Sequence, residues 1–115
     1  MMSDEVHRAI AQIRFFGKLA PLILSGRKSA TIRDDSEAHY QVGQILEAIT
    51  HEDGASICQI EILSIEQVSF DTLNRSHAKA EGLPFTFLLK RLIRKIYPRD
   101  TKLYFIRFIT KNVIA

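Results

Sequence analysis

Within Ser25-Gly26-Arg27-Lys28-Ser29-Ala30-Thr31-Ile32-Arg33-Asp34 the chain gathers three cations, several hydroxyls and a carboxylate, more chemistry than a connecting turn requires. A threonine hydroxyl is a poor nucleophile until a neighbouring base removes its proton, and an amine is such a base only when neutral. Permanent charges at Arg27 and Arg33, helped by partial burial, are expected to favour the neutral form of Lys28 by repulsion. The competing reading has Arg27, Lys28 and Arg33 paired with Asp34, Asp35 and Glu37 as surface ion pairs, each worth at most about 1 kcal/mol.

Placing these side chains is the task of the flanking elements. Period-two alternation puts Ala30 and Ile32 on one face of a short strand, Ser29 to Arg33, with Ser29, Thr31 and Arg33 on the other. One face feeds a core and the other a cleft. Lys28 and Thr31 are three apart and would diverge in a regular strand, so if they act together Lys28 must lie in a turn or bulge. Gly26 follows an apolar run and suits the left-handed end of a helix.

The rest of the chain reads in order. Gln12 to Phe16 is a first strand and Gly17 to Leu24 a short helix that tolerates Pro21 near its start. Asp34 to Gly43 is a polar loop able to cover the cleft face. Gln44 to Thr50 and Ala55 to Val68 form a hairpin around Asp53-Gly54, the even-numbered face of its second strand being the more apolar. Ser69 or Asp71 caps a helix through Ala80, closed by Gly82, with Leu73, His77 and Ala80 on one face. Thr86 caps another, stopped by Pro98, with Leu88, Leu89, Leu92, Ile93 and Ile96 as its buried stripe and Lys90, Arg91, Arg94 and Lys95 opposite. Lys102 to Thr110 alternates as a closing strand. Strands with helices inserted between them, in no regular βαβ order, indicate an α+β fold with a largely antiparallel, barrel-like sheet.

A length of 115 residues suits one domain, read as residues 12–115 behind an N-terminal extension of residues 1–11. The single Cys58 leaves no internal disulfide framework, and neither a leader nor a membrane span is evident, so a reducing, cytoplasmic setting is expected. The spacing of His39, His51 and His77 does not suit a metal, and Cys58 reads as a small core residue. Charge is lopsided: residues 1–85 hold 8 Lys/Arg against 12 Asp/Glu, net −4, and residues 86–115 hold 8 against 1, net +7. Such a basic end attracts phosphates or serves as a solvated helix face.

Gly26-Arg27-Lys28-x-x-Thr31-Ile32-Arg33-Asp34, Ser36-Glu37-x-His39, Gly43, Asp53-Gly54, Asp71-Thr72-Leu73 with His77-Ala78-x-x-Glu81, and Ile96-Tyr97-Pro98 ahead of a strand with Tyr104 together resemble the small bacterial ASCH-domain proteins. Within that superfamily the chain is most similar to the N(4)-acetylcytidine amidohydrolases, from Ile13 to Phe108. The resemblance implies a PUA-like β-barrel and hydrolysis of the acetamide on the cytosine ring to cytidine and acetate, with no metal or other cofactor. It implies Lys28 as base, Thr31 as nucleophile and Glu81 as proton donor. Lys79, beside Glu81, departs from the expected acidic residue.

Glu81 meets the negative end of its helix dipole, which favours the protonated carboxyl that a donor needs; otherwise it is an exposed glutamate paired with a nearby cation. His77 shares its side and is a candidate to orient it. Arg27, Arg33, Ser29 and Tyr40 are candidate substrate-binding residues, and Tyr40, Phe85 and Tyr104 candidate stacking surfaces or core. Thr31→Ala and Lys28→Ala are each expected to abolish turnover with the fold intact. The alternatives are an RNA-binding PUA-like module using Lys90, Arg91, Arg94 and Lys95, and an ASCH-type ribonuclease; the partner is a modified nucleoside or RNA, with no membrane and the oligomeric state open.

Overall fold

The computed structural model describes residues 11–99 and 102–111. Of the expected N-terminal extension only Ala11 falls within them, and it opens the first strand.

Among these residues five strands make one sheet: β1 Ala11–Phe15, β2 Ala30–Asp34, β3 Ile45–Thr50, β4 Ser56–Val68 and β5 Leu103–Lys111. Their order is β1-β3-β4-β5-β2, with β1 parallel to β3 and every other pair antiparallel. This is the expected α+β architecture, with the sheet curled into a half-barrel. The described residues also form three α-helices: α1 Ala20–Leu24, α2 Arg75–Ala80 and α3 Thr86–Ile96. No helix among the described residues is long and apolar enough to cross a membrane.

Strand β5 decides where the cores lie. Its residues alternate, so Ile106 and Phe108 point into the barrel with Ile13, Phe15, Leu46, Ile60 and Ile62. Leu103 and Phe105 point the other way, into an outer core with Ala30, Ile32, Leu73, Ala78, Leu89 and Ile93. A strand buried on both faces needs apolar residues at both parities, which explains the run Leu103 to Phe108. The expected split of β2 follows: Ala30 and Ile32 join the outer core, while Thr31 and Arg33, opposite Ile106 and Tyr104, face inward.

Several local expectations are corrected. The first helix is divided into a 3-10 turn, Gly17–Leu19, and α1. The helix expected from Asp71 is also divided: Ser69 caps a 3-10 turn, Phe70–Thr72, and Asn74 caps α2, its side chain accepting from the backbone N–H of Ser76 (2.8 Å) and His77 (3.4 Å). Phe85, not Thr86, stands at the N-cap of α3, without a side-chain cap. On β4 the apolar parity is even only as far as Ile62; a bulge between Ile62 and Ser64 turns Ile65 inward and leaves Leu63 49% exposed.

The stripe on α3 is narrower than expected. Leu89 and Ile93 are buried, but Leu92 and Ile96 are 40% and 48% exposed because the outer core reaches only one side of the helix. This distinction is open to test by urea unfolding. Leu89→Ala is expected to cost about 2–5 kcal/mol, and Leu92→Ala less than about half the value at Leu89.

Candidate active site

Chain geometry around Gly26 carries Lys28 to the mouth of the barrel. α1 ends with Gly26 at φ +83°, its N–H donating to the Ile23 carbonyl (3.1 Å), and the Lys28 N–H then donates to the carbonyl of Leu22 (2.9 Å). Lys28 thus lies in the turn ahead of β2, one of the two placements, turn or bulge, expected for it. Ser29, the next residue, clamps two elements with its backbone: its N–H donates to Ala80 (2.7 Å) and its carbonyl accepts from Phe108 (3.0 Å).

The bond to Ala80 brings the end of α2 against this turn, and Glu81 follows directly as the C-cap. Gly82 then turns the chain with φ +83°, and a Cβ there would meet Leu22 Cδ1 (3.4 Å), the Arg27 carbonyl oxygen (3.6 Å) and Lys28 Cβ (3.7 Å) at ordinary contact distance. What calls for glycine is the backbone conformation, which would strain any side chain.

Lys28, Thr31 and Glu81 are the buried polar or charged side chains among the described residues, at 3%, 5% and 8% exposure. Lys28 Nζ and Glu81 Oε1 form a direct ion pair, and Nζ also donates to the Ala30 carbonyl (2.8 Å), at the peptide that leads into Thr31. The exposed-glutamate alternative is therefore wrong for Glu81, and so is surface pairing for Lys28. Arg33 Nε donates to Thr31 Oγ1 (3.0 Å) and Nη2 to the carbonyl of Arg14 on β1 (2.7 Å), spanning the two edges that the sheet leaves unpaired. Phe15 floors the mouth: its ring centroid is 5.1 Å from the Arg33 guanidinium and 5.8 Å from Lys28 Nζ.

The remaining candidates separate. Tyr40 packs on the inner core, its phenol pushed up by burial and drawn back by the nearby Arg33 charge. Ser29 is half-buried and serves through its backbone. Arg27 is exposed and stands apart from the buried group, so the expected repulsion from that side is replaced by direct contact with Glu81. Phe85 is 55% exposed and stacks on Phe87 (5.7 Å), outside the mouth. Tyr104 leans on the inner core, its phenol pushed up chiefly by the Asp35 carboxylate.

His77 does not orient Glu81. Its Nδ1 accepts from the Asn74 N–H (3.1 Å) and its ring meets the Phe105 edge at 4.7 Å, because the split helix makes it the N3 residue of a cap. Burial holds the imidazole below its ordinary value near 6.5, with Glu66 opposing and Arg107 reinforcing. Phe15 and the Arg14 carbonyl were not singled out in the sequence, since a floor and a backbone acceptor depend on which strands meet. An open groove of about 570 Å³ near α3, lined by Phe70, Ile93, Arg94, Tyr97 and Lys102, contains none of the three buried groups.

Lys28→Met would leave the buried Glu81 carboxylate without its partner, which bears on the fold as well as on turnover. Breaking the pair from one side is expected to cost about 3–5 kcal/mol, while Lys28→Met with Glu81→Leu recovers much of the loss in denaturant unfolding. For His77 the folded state favours the neutral ring. Its contribution to stability is present above about 6.5 and is lost as pH falls below that value; His77→Gln is expected to flatten this part of a pH-unfolding profile.

A model of the ASCH domain matches residues 11–98. The chain is 62% identical over 96 residues to the N(4)-acetylcytidine amidohydrolase of Moritella marina, covering 84% of this chain and 89% of that protein. The same-named protein of Vibrio parahaemolyticus is 45% identical over 97 residues, covering 84% and 90%. Among solved structures, the ASCH domain from Lactobacillus crispatus superposes with a TM-score of 0.75 at 21% identity, covering 95% of this chain and 84% of that one, and supports the fold alone. A protein from Enterococcus faecalis superposes at 0.71 with 20% identity, covering 99% and 88%. With a family model over most of its length and relatives well above the level at which families are recognised, the chain belongs to the ASCH domain family.

Proposed function

We propose that the protein deacetylates N(4)-acetylcytidine, or closely related N(4)-acylated cytosine nucleosides, to cytidine and acetate. The observation that carries this reading is the burial of an amine, a hydroxyl and a carboxyl at one barrel mouth, with the amine and carboxyl in contact. Burying such groups costs stability unless they are paired, and structural needs alone would be met as well by apolar side chains. The names of the Moritella and Vibrio relatives supply the substrate class.

The Lys28–Glu81 contact offers one proton two positions. With that proton on Glu81, the Lys28 lone pair is free to take the Thr31 hydroxyl proton as Oγ1 attacks the acetyl carbonyl. The carbonyl carbon becomes tetrahedral and its oxygen takes the negative charge. Arg33 already donates to Thr31 Oγ1, so its guanidinium lies beside the carbon under attack, where it stabilises that oxyanion. Collapse expels the exocyclic nitrogen, which collects the Glu81 proton and leaves as cytidine. Water then cleaves the acetyl-threonine ester, with Lys28 and Glu81 handling its protons, and acetate departs.

The RNA-binding and ribonuclease alternatives lack comparable support. Lys90 and Arg94 of the basic helix lie over the Phe70 ring (5.4 and 3.9 Å), on the outer core and not at the Thr31 mouth.

Absorbance-monitored hydrolysis of N(4)-acetylcytidine by chelator-treated protein tests the proposal. Wild-type protein is expected to turn over substrate, and Thr31→Ala to lose at least about a thousandfold in kcat while unfolding at a similar midpoint. A folded wild-type protein without turnover overturns it.

A further inference from the structure

Arg33 can stabilise a transition state only if its guanidinium is held still, and two of its contacts, to Thr31 and to the Arg14 carbonyl, leave one arm open. That arm faces Glu37, with Nη1 3.8 Å from Oε2. The other oxygen of the same carboxylate, Oε1, accepts from the phenol of Tyr97 (3.2 Å), sixty positions along the chain. On the basis of the proposed function, we infer that Glu37 and Tyr97 are positioning residues that hold the Arg33 guanidinium on Thr31, neither of them touching substrate.

The local structure favours this arrangement. Glu37 ends the 3-10 turn Asp35–Glu37, whose start is fixed by Asp34 accepting from the N–H (3.0 Å) and hydroxyl (2.6 Å) of Ser36. Tyr97 is the C-cap of α3, its N–H donating to the Ile93 carbonyl (2.7 Å), and its ring packs on the outer core. The phenol is thus fixed by a helix that is itself fixed by Leu89 and Ile93. Burial, then the Glu37 charge, push that phenol up to about 12, so it remains a donor through the neutral range.

A half-exposed Arg–Glu pair alone is weak. Here the glutamate is anchored from behind, which removes the freedom that makes such pairs weak. The chain Tyr97–Glu37–Arg33–Thr31 runs from the outer core, past the polar loop, to the attacking oxygen. The loop after β2 therefore acts less as a cover than as a brace.

Two arms test this. In kinetics, Tyr97→Phe and Glu37→Gln are each expected to lower kcat about tenfold with KM within about twofold, since misplacement of a group that acts on the transition state spares ground-state binding. Placed on Arg33→Lys, neither is expected to lose more, because both act through Arg33. In nitrogen-15 NMR of the resting protein, hydrogen exchange at Arg33 Nε–H is expected to be several-fold faster in both variants. Full additivity with Arg33→Lys, or unchanged Nε–H exchange in both variants, overturns the inference. If wild-type protein has no turnover, the functional reading falls by itself, and Nε–H exchange still decides whether Glu37 and Tyr97 hold Arg33.

Discussion

The contact between Lys28 and Glu81 sets the terms for everything around it, because an amine and a carboxyl withdrawn from water are tolerable only as a pair. Keeping them together requires the turn after α1 and the end of α2 to stay in register. The Ser29–Ala80 backbone bond and the left-handed turn at Gly82 meet that requirement. Two segments about fifty residues apart are thus tied by a backbone bond and an ion pair side by side.

The second constraint is the seam of the half-barrel. β1 and β2 are sheet edges, and unpaired edges are ordinarily hazards. Arg33 occupies this seam: it spans the gap to the Arg14 carbonyl, lies on Phe15 and donates to Thr31. A closed barrel would have spent those strand edges on a ladder and left no mouth. Openness and chemistry share the same cause.

Much of this was legible in the sequence. Alternation in Ala30 to Arg33 separated core from cleft correctly, Gly26 marked the left-handed end of α1, and the residues of the ASCH resemblance include the buried polar side chains found among the described residues. What failed were questions of extent and partnership. Nothing in the apolar stripe of α3 says that the outer core stops short of Leu92 and Ile96, since periodicity records which residues share a face and not how far the neighbour reaches. The β4 bulge reverses parity at one step that no alternation pattern contains. For Lys28, charge clustering along the chain suggested Arg27 and Arg33 as the tuning neighbours. The chain's return at Glu81 supplied an anion instead, and a partner fifty-three positions away is invisible to local counting.

Thr31 as the attacking group is open to chemical quench of a single turnover with N(4)-acetylcytidine, followed by mass spectrometry of the digested protein. A transient acetyl group is expected on the peptide bearing Thr31, formed at the rate at which cytidine appears and absent from Thr31→Ala. Cytidine release with no acetyl-protein at any time, or acetyl carried on Lys28, would contradict it.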